Sequence, residues 1–420
     1  MNVYKFGGAS VNDANGVRNV ANIIGKVSGK LVVVVSAMGK MTNALEVVAD
    51  HYFHHRKEAC FQSFDAVKKY HLQILTDLFG HPAASERFND HLRVMEQRLN
   101  QPPSMHYDFE YDQIVSFGEL FSTSIVCDYL ISKGLKCVWT DSRTIIKTDD
   151  LYRDANVDWD LTKSQMVEAF TFQDADLYLT QGFLGGTLSN LTTTLGREGS
   201  DYSAAIIGHV MDAQGVTIWK DVPGVLNADP RWYPQAEKIN ELSYNEAIEL
   251  TFYGAQVIHP KTLKPLQNKE IPLFVRSFID PDATGTVIRS RQGISEPIPV
   301  YVLKRDQFFV TVYPKDFSFI MEDKLIDIIS VFKKYRVKMN LMQSSALNFS
   351  ACFDRKRETQ ALLNELNRLF TVRYNEGVDL LTIRQYTPQA IDEMTINRGI
   401  IDSQITRKVA RFVLKKQDDL

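Results

Sequence analysis

The sequence predicts an α/β protein with a mainly parallel sheet sandwiched by helices, followed by a smaller α+β region of the ferredoxin-like class. Residues 2–6 form a short strand that breaks at Gly7-Gly8, and residues 30–36 form a strand that is apolar on both faces. Strands of a buried parallel sheet have this two-sided apolar character. Between these strands, apolar residues recur at helical spacing from 17 to 27. Strand, helix and strand in this order favour parallel βαβ connections.

The rest of the first 290 residues continues this pattern after one interruption. Residues 50–115 are polar and helical without a strand candidate, and we interpret them as a helical insertion. Residues 280–299, rich in proline and polar side chains, are typical of a linker. Strands are predicted in four further segments, the last of which we expect to close the sheet: 135–140, 175–181, 216–219 and 271–278.

A smaller pattern of strands and helices begins after residue 300. A strand at 308–313 is followed by an amphipathic helix, two strands, a second amphipathic helix and a strand at 378–386. This order is a βαββαβ unit of the ferredoxin class. A strand at 409–414 belongs to a second unit that is incomplete. We therefore divide the chain into a domain at 1–290 and a region at 300–420.

Composition excludes several classes of protein. The 420 residues carry 48 basic and 51 acidic side chains, a net charge of −3, which argues against a binder of nucleic acid or of membrane surfaces. The four cysteines are scattered without a CxxC pair, so neither a disulfide framework nor a zinc ribbon is expected. The first residues lack the basic and apolar stretches of a signal peptide. We expect a cytoplasmic protein.

The strongest chemical signal is a cluster of glycines and hydroxyls. Six of the 22 glycines fall within residues 182–208. The segment 192–201, Thr-Thr-Thr-Leu-Gly-Arg-Glu-Gly-Ser-Asp, leads into apolar residues at helical spacing. Backbone N–H groups at a helix N-terminus, joined by hydroxyls and an arginine, form an anion site. An ordinary surface loop with a serine or aspartate cap would have the same residues.

A second loop of similar chemistry follows the first strand at residues 5–10, Lys-Phe-Gly-Gly-Ala-Ser. Taken alone, this loop is more typical of a structural turn with a solvated lysine. Two such loops in one α/β domain favour a polyphosphate held between them. We therefore expect the two loops to meet in space.

Two other patterns are set aside. Gly39-Lys40 resembles the end of a Walker A loop, but Val34 stands where that loop requires glycine, and no GxGxxG segment occurs. Three histidines share one helix face without a cysteine or a further ligand nearby, so we interpret that face as solvated rather than metal-binding: His51, His54 and His55.

Taken together, the motifs resemble those of aspartate kinases, members of the amino acid kinase superfamily with C-terminal ACT domains. The resemblance extends over essentially the full chain. Eight segments carry it in the family's order and spacing: 5–10, 34–38 with 42–43, 116–122, 181–183, 192–201, 221–224, 229–231 and 254–260.

The resemblance implies transfer of the γ-phosphoryl group of MgATP to the β-carboxylate of L-aspartate. The product would be 4-phospho-L-aspartate, in the first step of lysine, threonine and methionine biosynthesis. The resemblance assigns catalysis to Lys5 and to Asp201, which would orient that lysine and therefore lie close to it. It assigns no metal ligand to the protein, since Mg²⁺ would arrive with ATP. The aspartate side would be formed by Ser36, Thr42, Glu119, Arg197 and Ser200. The nucleotide side would be formed by Lys5, Gly7, Gly8, Ser10, Lys220, Asp221, Arg231 and Gln256.

Two residues depart from the family pattern near the phosphates. Ala9 stands where the family usually has threonine, and Gln256 stands where lysine or arginine is common. Lys220, where many members have threonine, is a cation that could compensate. Loss of one neutral hydrogen bond costs roughly 0.5–1.5 kcal/mol. We expect weaker ATP binding and retained activity.

The region at 300–420 resembles the tandem ACT regulatory domains of these kinases, with the second unit shortened. Such modules bind an amino-acid effector, for which Asn340 and Ser345 are the candidate contacts. Lysine-inhibited relatives often have acidic side chains where this chain has Asn340 and Ala346. A lysine ammonium would lose its carboxylate partners here, which argues against lysine as the effector. ACT domains usually pair, so a homodimer or higher homo-oligomer is expected.

Two alternatives stay open at this point. One is a catalytically weak, amino-acid-sensing regulatory subunit, suggested by Ala9 and Gln256. The other is a kinase of another acidic substrate, such as acetylglutamate, glutamate or UMP. The segment 192–201 and the ACT-like region favour aspartate.

Overall fold

The computed structural model describes residues 1–255, 258–290, 298–316 and 318–416. The chain divides into two compact units. The first consists of Met1–Val225, Lys238–Ile248 and Val257–Gly293, and the second consists of Leu226–Glu237, Glu249–Gln256 and Ile294–Leu420.

The first unit is an α/β structure. Its strands are β1 (Asn2–Phe6), β2 (Leu31–Val35), β3 (Cys137–Thr140), β4 (Leu177–Gln181), β5 (Leu184–Gly186), β6 (Thr192–Thr194), β7 (Gly215–Lys220), β8 (Glu241–Ser243), β9 (Leu273–Ser277) and β10 (Thr286–Arg289). Its helices are α1 (Ala14–Gly25), α2 (Met41–Phe53), α3 (Lys57–Phe79), α4 (Glu86–Leu99), α5 (Tyr107–Val115), α6 (Phe117–Ser132), α7 (Ser142–Ile145), α8 (Trp159–Ala169), α9 (Gly199–Val210), α10 (Tyr244–Tyr253, which ends in the second unit) and α11 (Pro260–Asn268).

Eight strands form the central sheet in the order β3-β4-β2-β1-β7-β9-β10-β8. All neighbouring strands are parallel except β9 and β10, which are antiparallel. Every residue of β2 is buried, as the two-sided apolar pattern predicted. Leu31, Val33 and Val35 join the core formed with α1, α2 and α6, while α9 packs on β1, β2 and β7.

The expectation that the sheet ends at residues 271–278 is wrong. β10 lies inside the segment interpreted as a linker, where it pairs with β9 and with β8. Proline and glycine on both sides favoured a loop, so the short β-branched run Thr286-Val287-Ile288 was not recognised as a strand. Thr286 and Ile288 are fully buried, so burial between β9 and β8 specifies the strand rather than a long apolar run.

The helical region between β2 and β3 contributes many buried apolar side chains to one core cluster of the first unit. The stretch Tyr107–Ser132, which comprises α5 and α6, is long and apolar enough to cross a membrane by length and composition. However, 89% of its most apolar window is buried inside the protein. This burial is typical of a core helix, and it fixes the position of the first turn of α6.

The second unit is one six-stranded antiparallel sheet with helices. Its strands follow the order β12-β13-β11-β14-β16-β15. The strands are β11 (Val300–Pro314), β12 (Met339–Ser344), β13 (Phe349–Asp354), β14 (Phe370–Arg384), β15 (Ile400–Ile405) and β16 (Val409–Leu414). The helices are α12 (Glu322–Lys334), α13 (Thr359–Leu369) and α14 (Pro388–Thr395).

Two long strands, β11 and β14, run through both halves of this sheet. The end of β11, α12, β12, β13, α13 and the start of β14 form a βαββαβ unit. The other half has one helix among the described residues, α14. Trp232 and Tyr233, from the segment Leu226–Glu237, pack with α14 on the core around Phe412. This segment covers the core in the place where a complete βαββαβ unit has its second helix.

The buried aromatic cluster of the βαββαβ unit is predicted to dominate its stability. Phe353 is fully buried, 5.9 Å from Phe308 and 5.4 Å from Phe332 between ring centroids. Phe353→Ala should therefore lower the free energy of unfolding by about 3–5 kcal/mol. Chemical denaturation followed by circular dichroism measures the change. Phe319, 62% exposed, is the matched control, and a similar loss in Phe319→Ala would contradict this assignment of the core.

Candidate active site

One cleft in the first unit collects most of the residues that the sequence pointed to. It has a volume of about 610 Å³ and lies at the carboxyl ends of β1, β2 and β7. Ligands of open α/β sheets bind at this edge. Its lining includes Lys5, Gly7, Gly8, Ser10, Ser36, Thr42, Glu119, Arg197, Ser200, Asp201, Lys220 and Asp221.

The centre of the cleft is an ion pair between the two loops. Lys5 Nζ lies 2.7 Å from Asp201 Oδ1, and their side chains are 11% and 5% exposed. Lys220 Nζ lies 3.9 Å from the other carboxylate oxygen. Burial acts to raise the pKa of Asp201, but Lys5 and Lys220 outweigh it and hold that pKa below its ordinary value. The predicted meeting of Lys5 with Asp201 is confirmed.

The strand register explains why two lysines converge on one carboxylate. β1 pairs with β7 so that Phe6 lies opposite Trp219, which places Lys5 and Lys220 at neighbouring strand ends. Asp201 lies in the first turn of α9 and is buried there. The first-turn N–H groups of a helix carry partial positive charge. This corner of the cleft therefore favours an anion.

Glycine is required where the two loops approach their neighbours. A Cβ added to Gly8 would lie 2.6 Å from Gly39 O and 2.7 Å from Ala37 O. A Cβ added to Gly182 would lie 2.5 Å from Ser200 Cβ. Contacts this short would displace the backbone of the loop after β1 or the start of α9. The glycine cluster thus serves close approach of chain segments around the cleft.

Glu119 presents an unpaired carboxylate oxygen to the cleft. It lies in the first turn of α6, and its Oε1 accepts a hydrogen bond from the Ala37 N–H at 3.1 Å. Its Oε2 is buried and has no hydrogen-bond partner in the described structure. Burial raises the pKa of Glu119 to about 8, against the lowering effect of the Ala37 N–H and the Lys5 ammonium. A cationic ligand would satisfy this oxygen.

The remaining predicted residues divide into two groups. Ser36, Thr42, Arg197 and Ser200 line the same cleft as Glu119. Arg231 belongs to the second unit, where its exposed guanidinium pairs with Asp229 at 2.5 Å, and it is not among the described residues that line the cleft.

Gln256 lies outside the described residues, so its predicted nucleotide contact stays a prediction. The histidines interpreted as a solvated face are partly or fully exposed: His51, His54 and His55. Among the described residues, no group of three or more His, Cys, Asp or Glu side chains is arranged to hold a metal ion.

Sequence reasoning missed one wall of the cleft. Tyr111 and Arg153 line it, and the buried Asp112 accepts three hydrogen bonds behind it. Burial raises the pKa of Asp112 to about 6, although its backbone and hydroxyl donors act to lower it. Tyr111-Asp112 lies shortly before the 116–122 motif and could have been suspected from that position. Nothing in the sequence near Arg153 signals the contact.

Comparison with known proteins agrees with this geometry. A model of the amino acid kinase family matches residues 1–277. Lysine-sensitive aspartokinase 3 of Escherichia coli (strain K12) is 30% identical over 396 residues, covering 91% of this chain and 86% of that protein. Bifunctional aspartokinase/homoserine dehydrogenase 1 of Arabidopsis thaliana is 33% identical over 68% of this chain, which spans only 32% of that protein.

Two crystal structures of E. coli aspartokinase III each cover 99% of this chain and 96% of theirs, at 27% identity. The T-state structure, in complex with lysine and aspartate, has a TM-score of 0.83. The R-state structure, in complex with aspartate and ADP, has a TM-score of 0.76. The matching sequence and fold lead to one conclusion. The chain belongs to the amino acid kinase family and, within that family, to the aspartokinases.

Proposed function

We propose that this chain transfers the γ-phosphoryl group of MgATP to the β-carboxylate of L-aspartate. The product is 4-phospho-L-aspartate, and the reaction is the first step of lysine, threonine and methionine biosynthesis. The observation that supports this proposal most strongly is the Lys5–Asp201 ion pair in the same cleft as the unpaired Glu119 carboxylate. One end of the cleft suits phosphate, and the other end suits an amino acid.

Catalysis in this proposal is mainly a matter of charge and alignment. A carboxylate that attacks a phosphate must overcome repulsion between two anions. The Lys5 and Lys220 ammonium groups and the N-terminus of α9 supply positive potential where the equatorial oxygens gather charge. A carboxylate is already ionised at neutral pH, so the chain needs no general base. Asp201 holds Lys5 in place and contributes no proton.

The nucleotide phosphates are assigned to the loop after β1. Gly7 and Gly8 line the cleft, and the buried Ser10 hydroxyl has no hydrogen-bond partner in the described structure. Asp221 follows Lys220 at the end of β7 and lines the same cleft. Mg²⁺ enters with ATP as part of the substrate and neutralises phosphate oxygens. Arg231 and Gln256 complete the nucleotide side as predictions from the family pattern.

The acceptor is assigned to the opposite part of the cleft. Glu119 Oε2 accepts a hydrogen bond from the α-ammonium group of L-aspartate, and Arg197 binds a carboxylate as a two-pronged donor. Ser36, Thr42 and Ser200 supply hydroxyls around them. In this arrangement the enzyme recognises both the cation and the anions of the amino acid.

The second unit is proposed to bind an amino-acid effector through Asn340 and Ser345. The Asn340 amide accepts a hydrogen bond from Lys304 Nζ at 2.8 Å and donates one to Gln307 at 2.7 Å. These partners use only part of the hydrogen-bonding capacity of the amide, whose oxygen can accept a second hydrogen bond from an effector. A homodimer or higher homo-oligomer in the cytoplasm completes the proposal.

Removal of the Lys5 ammonium is predicted to abolish most turnover. Lys5→Ala should lower kcat by at least about 10²–10³-fold, since a positioned donor to the transition state is lost. Trapping the acyl phosphate as a hydroxamate measures the rate with L-aspartate and MgATP. Lys26→Ala removes an exposed lysine that is also ion-paired to an aspartate and should retain full activity. Wild-type turnover of glutamate without turnover of aspartate would contradict the assignment of L-aspartate as the substrate. No turnover of either would favour a sensing subunit.

Aspartate binding is predicted to release a proton from Glu119. With a pKa of about 8, this carboxyl is mostly protonated at pH 7, and the substrate ammonium favours its ionised form. Calorimetric titration at pH 7 in two buffers of different ionisation enthalpy should therefore give about 0.9 protons released per aspartate bound. The affinity should rise with pH and level off above about pH 8.

Glu119→Gln is the control for this measurement. The amide keeps the shape of the carboxyl and has no proton to release, so aspartate should bind more weakly and without linked protonation. Equal proton release by the wild type and by Glu119→Gln would show that another group titrates.

A further inference from the structure

A second guanidinium besides Arg197 lines the cleft. Arg153 lies in the loop between α7 and α8, and its backbone has a φ of +69°. A residue with a Cβ adopts this left-handed conformation at a cost in free energy. Such residues persist where the surrounding structure fixes them, often at functional sites.

Asp112 fixes the backbone of Arg153. Its Oδ2 accepts the Arg153 N–H at 3.0 Å and the Thr194 N–H at 2.8 Å, and its Oδ1 accepts the Thr194 hydroxyl at 2.8 Å. The Ala155 N–H donates to Thr194 O at 3.0 Å. The fully buried Asp112 side chain thus ties the Arg153 loop to β6, the strand that leads into Arg197.

The Arg153 side chain is held loosely compared with its backbone. Its guanidinium carbon lies 4.4 Å from the centroid of the Tyr111 ring, which also lines the cleft. Its NH1 pairs with Asp108 at 3.1 Å, and the two side chains are 46% and 61% exposed. An ion pair this exposed contributes little to stability. The guanidinium can exchange Asp108 for another carboxylate at small cost while it stays on Tyr111.

We propose that Arg153 is a specificity-determining residue that binds the α-carboxylate of the L-aspartate acceptor, with Asp112 as the residue that positions it. The inference rests on the proposed function and deepens it. L-Aspartate brings two carboxylates into one cleft, and the β-carboxylate must approach the phosphoryl group at Lys5. Arg153 offers the non-reacting α-carboxylate a fork of two N–H donors. Arg197 alone would leave one anion without such a partner.

The test compares L-aspartate with its α-amide, which keeps the β-carboxylate and the ammonium group but is neutral at the α-position. Arg153→Ala should raise the KM for L-aspartate about 10- to 100-fold, as expected for loss of a charge-assisted hydrogen bond. The KM for ATP and the KM, or inhibition constant, of the α-amide should stay unchanged. The preference for L-aspartate over the α-amide should therefore collapse.

Three further variants complete the experiment. Arg153→Lys keeps a charge without the fork and should retain part of the preference. Asp112→Asn offers an N–H group to the Arg153 and Thr194 donors and should reduce the same preference. Arg93, an exposed arginine paired with Asp90, is the matched control, and Arg93→Ala should behave as the wild type.

The outcomes separate this inference from the proposed function. Wild-type protein without turnover of L-aspartate would overturn the proposed function. Wild-type turnover together with an unchanged preference in folded Arg153→Ala or Arg153→Lys would overturn the role of Arg153 and leave the proposed function intact. Equal loss of affinity for L-aspartate and its α-amide would also overturn it, because that result indicates a structural role.

Discussion

The buried ion pair between Lys5 and Asp201 is the interaction on which the rest of the site depends. It joins the end of β1 to the first turn of α9, and both side chains are nearly inaccessible to water. Breaking a buried pair by removing one partner is strongly destabilising, because the other charge stays buried without compensation. The parallel sheet supplies the geometry, since β1 and β7 end side by side and direct Lys5 and Lys220 to one carboxylate. The glycines around the loops permit the close approach.

A ligand in the cleft meets two different electrostatic environments. Positive charge gathers where phosphate would bind, around Lys5 and Lys220. The one buried carboxylate oxygen there without a described partner belongs to Glu119, and burial keeps its pKa high. An amino-acid substrate carries the missing cation to this oxygen. Binding of the acceptor therefore supplies the missing partner of Glu119. The free energy of that contact depends on pH, because it depends on whether Glu119 is ionised.

Much of this could be predicted from the sequence, for physical reasons. β2 is apolar on both faces because the sheet buries both, and glycine in 182–208 is needed where segments approach closely. These are local signals. β10 was not predicted because a four-residue strand between turn residues is too short to show a distinct periodicity. The role of Arg153 in the cleft was not predicted because its position depends on a hydrogen bond to Asp112, 41 residues earlier in the chain. Contacts of that kind are set by tertiary structure, which one sequence does not display.

The most direct test of the central claim is a double-mutant cycle on the phosphoryl-transfer rate with Lys5→Ala and Asp201→Asn. If Asp201 acts by holding Lys5, the two changes remove one functional unit, and the double variant should lose no more kcat than the more damaged single variant. Losses that multiply in the double variant would mean that the two side chains contribute independently. That result would contradict the claim that Asp201 acts by holding Lys5 in place.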